Sequence, residues 1–126
     1  MPQIQVWINN DKPENVEKLV KTLDDSVIAH KEQKLKAFVI VVTDDSKKAE
    51  ADLTALAEKQ KANEICLAYI EPKNEAVGYY KVNLDPEVKN TVMLYRHKVV
   101  TAKQVNVVAD EKGLASLQKD IADLIK

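Results

Sequence analysis

Residues 91–107 read TVMLYRHKVVTAKQVNV, two runs rich in β-branched residues that are separated by a gap of two. The runs cover residues 91–96 and 99–107, and His97-Lys98 lies between them. Parallel strands need a crossover connection of a dozen or more residues, whereas a two-residue gap suits a β-hairpin. The sequence therefore predicts an antiparallel hairpin near its C-terminal end.

Three further strands are predicted upstream, over residues 3–8, 37–43 and 64–70. Apolar residues alternate in the first strand, whereas the second, AFVIVVT, is continuously apolar, as in parallel strands covered on both faces. Helices are predicted between these strands because apolar residues recur there at helical spacing. They are Val16, Leu19, Val20, Leu23 and Val27 in the first helix, and Ala49, Leu53 and Leu56 in the second.

A short helix over residues 75–81 and an amphipathic helix from about residue 111 to 125 complete the predicted elements. Two right-handed crossovers place the first three strands side by side, and the hairpin then joins the free side of the first strand. The predicted fold is α/β, with one domain over residues 1–126. Its mixed five-stranded sheet has the order 3-2-1-4-5, with a C-terminal hairpin and a terminal helix.

Composition excludes several classes of partner. The chain has 126 residues, with 19 Lys and Arg against 20 Asp and Glu, and Arg96 is its one arginine. Nucleic-acid binding favours clustered basic side chains, so none is predicted. No apolar run approaches the roughly 20 residues that span a bilayer, so no membrane insertion is predicted. The compartment stays open: a soluble cytoplasmic protein, or an exported one whose signal has been removed.

The order of elements, with the segments VWINNDKPENVEKLV (residues 6–20) and KNTVMLYRHKVVTAKQVNV (residues 89–107), resembles the thioredoxin-like superfamily. The resemblance is to its peroxiredoxin-like and thiol–disulfide oxidoreductase branch, and it implies a three-layer fold. That family places CxxC at the start of the first helix and a cis-proline before the penultimate strand. Here residues 11–14 (DKPE) occupy the first place and Asn90 the second, so the resemblance is to a divergent member lacking both features.

The resemblance also implies a peptide-binding groove, because family members hold the substrate backbone beside the cis-proline. The predicted binding residues lie around this place in the sequence. They are Asn10, Asp11, Tyr79, Tyr80, Asn90 and Thr91.

Cys66 is the chain's single cysteine and lies within the apolar run EICLAYI. Because buried cysteines in apolar surroundings are inert, we expect a buried structural residue, with a catalytic thiol as the alternative. No disulfide and no four-cysteine zinc site can be formed from one cysteine.

Acidic residues follow the predicted parallel strands, among them Asp11, Asp44 and Asp45. They could bind a hard cation or form a phosphoacceptor site. The favoured interpretation is that Asp11, Asp44 and Ser46 cap helices. The two histidines, His30 and His97, are expected at a helix end and in the hairpin turn, so no metal or cofactor is predicted.

The leading functional hypothesis is a redox-inactive thioredoxin-fold module that binds a protein or peptide. The alternatives are a single-cysteine thiol oxidoreductase that uses Cys66 and a cation-binding regulatory domain. The strand at residues 64–70 is a predicted sheet edge with few charges, and exposed apolar edges invite pairing. It therefore predicts a homodimer or a partner strand at that edge.

Overall fold

The computed structural model describes residues 2–9, 11–60, 65–79, 87–96 and 99–125. Its strands are β1 (Gln3–Ile8), β2 (Lys36–Val42), β3 (Cys66–Ile70), β4 (Asn90–Arg96) and β5 (Val99–Val105). Its α-helices are α1 (Pro13–Ala29), α2 (Ser46–Gln60), α3 (Glu75–Tyr79) and α4 (Glu111–Leu124). A short 3-10 helix at Lys31–Gln33 lies between α1 and β2.

The strands form one mixed sheet in the order β3-β2-β1-β4-β5, which confirms the predicted topology. β1 pairs in parallel with β2, and β2 with β3, as helical crossovers require. β4 runs antiparallel to both β1 and β5. The central strand β1 thus joins the parallel and antiparallel halves of the sheet.

The two faces of the sheet carry separate apolar clusters. On the first face, which we call the helical face, α1 and α4 pack against alternate residues such as Ile4, Val39 and Leu94. Leu56 of α2 packs against the same cluster. On the opposite face, Trp7 and its apolar neighbours pack with α3. The sheet therefore lies between two layers of helix of unequal size.

The prediction that β2 is covered on both faces holds in part. On the helical face Ala37 and Val39 are buried and Val41 is half-buried, whereas on the opposite face Val42 is buried and Phe38 and Ile40 are half-buried. The long helix α1 covers the first pair, and only the five-residue α3 is seen to cover the opposite cluster. Continuous apolar sequence thus marks a parallel strand here without marking complete burial.

Several element ends differ from the sequence prediction. β5 ends at Val105 rather than 107, because Asn106 adopts a left-handed backbone with φ 57°, which interrupts an extended strand. β3 begins at Cys66, and Glu64 lies outside the described residues.

Among the helices of the described residues, none is both long enough and apolar enough to span a bilayer.

Candidate functional site

The candidate site lies where β1 ends and β4 begins. Antiparallel register pairs Ile8 with Asn90, so the chain leaving β1 meets the chain entering β4 at one end of the sheet. Asp11 lies between β1 and α1, two residues before the helix begins, and Asn90 is the first residue of β4. The structure therefore brings together two of the predicted site residues that are far apart in the sequence.

Asp11 is the centre of a side-chain network. Its Oδ2 accepts hydrogen bonds from Nδ2 of Asn15 at 2.6 Å and from Nδ2 of Asn90 at 2.7 Å. Its Oδ1 accepts from the adjacent Lys12 N–H at 2.8 Å. The prediction that Asp11 caps α1 is wrong, because the N-cap is Lys12 and no side chain caps this helix. The carboxylate is occupied instead by two amides.

The same amides hold the segment that follows β5. Asn90 Oδ1 accepts from the N–H of Val107 at 2.8 Å, and Asn90 Nδ2 also donates to the Val107 carbonyl at 3.0 Å. Asn15 donates to that carbonyl at 2.9 Å and accepts from the N–H of Ala109 at 2.6 Å. The network thus fastens the start of α1, the start of β4 and the end of the hairpin to one another.

Burial decides which of the predicted binding residues can meet a partner. Asn90 and Thr91 are each only 1% exposed, so neither presents its side chain to a docked peptide. Asp11 is half-buried and reaches the surface. Asn10 and Tyr80 lie outside the described residues, as does the side chain of Tyr79 at the end of α3.

The backbone before Asn90 is also hydrogen-bonded within the chain. The Lys89 carbonyl accepts from the N–H of Asn9 at 3.0 Å, and the Lys89 N–H donates to Asn106 Oδ1 at 2.6 Å. Asn9 Nδ2 donates to the Val88 carbonyl at 3.0 Å. No cis peptide bond occurs in the described part of the chain. A peptide that paired with this backbone would have to displace these bonds.

An apolar groove of about 500 Å³ opens beside Asp11, between α1 and α2. Most of its lining is apolar and the rest is charged. The apolar residues are Ile8, Val16, Val41, Ala49, Leu53, Ala55 and Leu56, and the charged ones include Lys48 and Asp52. Glu17 and Lys59 lie at its rim, where they form an ion pair at 3.1 Å. Sequence reasoning missed this groove, because helical periodicity predicts which residues point inward but not how closely two helices approach.

Cys66 lies away from this site. It is the first residue of the edge strand β3, and register places it opposite Phe38 and level with Gln5 of β1. At about 3.3 Å per residue and about 4.8 Å per strand, it is roughly 10 Å along and roughly 10 Å across from the end of β1. The prediction of a buried thiol is wrong, because Cys66 is exposed on the less covered face.

The remaining polar candidates have structural roles or lie apart. Asp45, not Asp44, caps α2, since its Oδ1 accepts from the N–H of Lys48 at 3.0 Å. The Ser46 side chain and His97 lie outside the described residues. His30 ends α1, as expected. Within the described ranges, no group of three or more His, Cys, Asp or Glu residues is placed to hold a metal ion.

No protein-family model and no curated protein sequence matches this chain. Solved structures of other proteins do match it. A protein described as thiol:disulfide interchange protein DsbE from Chlorobium tepidum superposes with TM-score 0.72 at 12% identity, over 99% of this chain and 80% of that one. The fold is thioredoxin-like. A secreted Mycobacterium tuberculosis disulfide oxidoreductase gives 0.63 at 14% identity, over 98% and 81% of the two chains.

A peroxiredoxin-like protein from Aquifex aeolicus gives TM-score 0.60 at 14% identity, over 96% of this chain and 72% of its own. These likenesses confirm the thioredoxin-like fold that the sequence predicts. In this thioredoxin-like domain, the network around Asp11 and Asn90 lies where β1 passes into α1 and where β4 begins. Those are the two places at which the family resemblance implies CxxC and the cis-proline.

Proposed function

We propose that this thioredoxin-like domain is a single-domain protein- or peptide-binding module without CxxC redox activity. The observation that carries the proposal is the hydrogen bonding of Asp11, which occupies the family's CxxC place. Its carboxylate accepts hydrogen bonds from Asn15 and Asn90. Disulfide exchange needs a thiolate that attacks sulfur and a second thiol that resolves the mixed disulfide. A carboxylate held by two amides provides neither.

The groove between α1 and α2 supports the binding half of the proposal. Its volume of about 500 Å³ is within the range of roughly 300–1,000 Å³ that is typical of ligand pockets, and its lining is mainly aliphatic. Apolar surface that a partner buries there would contribute a favourable hydrophobic free energy of about 25 cal/mol per Å². We propose that aliphatic side chains of the partner enter this groove and that the exposed part of Asp11 contacts the partner's backbone or a polar side chain.

The redox half is tested by restoring the family motif. Wild type and the double variant Asp11→Cys/Glu14→Cys are compared in the reduction of a disulfide-bonded protein substrate by a dithiol reductant. We expect no acceleration by wild type and a measurable acceleration by the double variant, since residue 11 lies just before α1 and residue 14 lies in its first turn. Wild-type acceleration that disappears in Cys66→Ser would contradict the proposal.

The binding half is tested by selecting ligands from a displayed random peptide library. Ala55 is exposed and lines the groove, and Ala51 is exposed on the same helix but is not part of the lining. We expect selected peptides rich in aliphatic residues, whose binding is lost in Ala55→Glu and kept in Ala51→Glu. Equal loss in both variants, or in neither, would remove the groove as the binding site.

A single-cysteine thiol oxidoreductase is the second candidate, and the exposure of Cys66 favours it. Its thiol must be reactive as well as accessible, because only the thiolate is nucleophilic. Modification rates of native and denatured protein are therefore compared across pH. A native midpoint well below the free-cysteine value of about 8.5 would support this candidate, and a midpoint equal to that of the denatured chain would count against it.

A further inference from the structure

The sheet has two edge strands, and they differ in how they are protected against pairing. β5 carries an irregularity in its register with β4 between Leu94 and Tyr95, and it carries Lys103 within the strand. Its Gln104 side chain donates to Asp120 of α4. Bulges and charged side chains are the devices that keep sheet edges from pairing with other chains. β5 is therefore a guarded edge.

β3 has none of these devices. Its sequence is CLAYI, without a charged residue, proline or glycine, and its register with β2 runs without a shift from Cys66 to Ile70. Tyr69 remains 36% exposed and Cys66 is exposed as well. A regular, uncharged edge strand offers its outward N–H and C=O groups to another strand.

The sequence of β3 is complementary to itself in the antiparallel direction. A two-fold axis through Ala68 places Leu67 opposite the partner's Tyr69, an aromatic–aliphatic pair that occurs twice, on the helical face. It places Cys66 opposite the partner's Ile70 on the other face, and small Ala68 side chains meet at the axis. Such cross-strand pairs contribute roughly 0.2–1 kcal/mol each. Just beyond the strand, Glu71 faces the partner's Ile65, so like charges do not meet at these positions.

We infer that two copies of this chain associate through antiparallel pairing of their β3 strands, centred on Ala68. The two five-stranded sheets then form one continuous sheet of ten strands. A second copy fits better than an unrelated extended peptide, because the two-fold arrangement closes the edge of both copies at once and repeats each favourable pair.

The association is measured by light scattering on a size-exclusion column up to high micromolar concentration. We expect twice the mass of one chain for wild type and the mass of one chain for Tyr69→Lys, which places a lysine opposite each partner's Leu67. Val105→Lys is the matched control, because Val105 is an exposed valine (48%) on the guarded edge. It is expected to stay dimeric. A monomeric wild type, or a dimer lost only in Val105→Lys, would overturn the inference.

The register is tested by cross-linking, which does not depend on the Tyr69→Lys variant folding well. Directly opposed residues in antiparallel strands have Cα atoms about 4.5–5.5 Å apart, within disulfide range. Ile70→Cys should therefore form an intermolecular disulfide with the partner's Cys66 under mild oxidation, and Ile70→Cys/Cys66→Ser should not. Wild type should stay uncross-linked, because the two Cys66 residues would lie about 13 Å apart along the strands. A wild-type disulfide would refute the register.

Discussion

Replacing Asn90 with alanine removes three hydrogen bonds at the centre of the candidate site. Two of them join the side chain to Val107, whose N–H donates to Oδ1 at 2.8 Å and whose carbonyl accepts from Nδ2 at 3.0 Å. The third is the 2.7 Å bond from Nδ2 to the Asp11 carboxylate. Because Asn90 is only 1% exposed, water cannot readily replace the lost side chain.

The expected cost follows from which groups lose their partners. Val107 is itself buried, so its unpaired N–H should cost about 1–3 kcal/mol. A hydrogen bond to a charged group is worth about 1.5–3 kcal/mol, but Asp11 is half-buried, so water recovers part of that term. The Val107 carbonyl keeps its bond from Asn15. We therefore expect Asn90→Ala to lower the free energy of unfolding by about 3 kcal/mol, a large fraction of typical domain stability.

Urea unfolding, followed by far-UV circular dichroism and by Trp7 fluorescence, measures this loss. The slope of free energy against urea should stay unchanged while the midpoint falls. Gln118→Ala is the control, because it removes an amide from an exposed position of α4 and should change stability by less than about 0.5 kcal/mol. An Asn90→Ala protein as stable as this control would refute the view that the network supports the fold.

Asn90→Asp preserves the shape of the side chain but replaces its Nδ2, which lies 2.7 Å from Asp11 Oδ2, with a carboxylate oxygen. Two carboxylates at that distance resist ionising together, and a shared proton would restore the bond. The folded variant therefore holds a proton more tightly than its unfolded chain. The shared proton should stabilise the variant fully below roughly pH 4, where unfolded carboxyl groups keep their protons, and this stabilisation should be lost as the pH rises above that value. Wild type lacks this component, so the difference between the two proteins should widen with pH.

The remaining predictions concern the stability contributed by residues at the starts of α4 and α2. Each variant is compared with a control variant by the same urea unfolding. Alanine is the better helix former, but a Cβ at position 113 would lie 1.9 Å from the Val108 carbonyl oxygen. Gly113→Ala should therefore lower the free energy of unfolding by about 1–3 kcal/mol. Gly78→Ala has no atom within 4 Å of the added Cβ and should be neutral or stabilising. Asp45→Ala should cost about 1 kcal/mol as a lost cap of α2, whereas Asp44→Ala should cost much less; equal losses would contradict the assignment.

The topology could be predicted because it depends on local spacing. The two-residue gap at 97–98 permits only an antiparallel connection, and helical spacing of apolar residues between the early strands requires crossovers. Both inferences use only the spacing of residues along the chain, and crossover handedness then places β1, β2 and β3 side by side. The position of β4 beside β1 joins distant parts of the chain, and it could be predicted because that side of β1 is free.

The site could not be predicted to the same depth, because its contacts join distant parts of the chain. Asp11 next to the start of α1 has the sequence of a helix cap, and only the approach of Asn90 diverts its carboxylate. Cys66 shows the same limitation. Its apolar neighbours predict burial, and the edge position of β3 is predicted as well, but the sequence does not show that the sheet face bearing Cys66 is the less covered one.

The network also explains why restoring CxxC should carry a cost in stability. A cysteine at position 11 would accept hydrogen bonds from Asn15 and Asn90 far more weakly than the carboxylate does. The variant that gains disulfide exchange should therefore unfold at lower urea than wild type. Removing Asn90 from that variant should cost less than removing it from wild type, because the bond to position 11 is already weakened. Such non-additivity would identify the Asp11–Asn90 bond as an interaction that stabilises this domain at the place where the family resemblance implies CxxC.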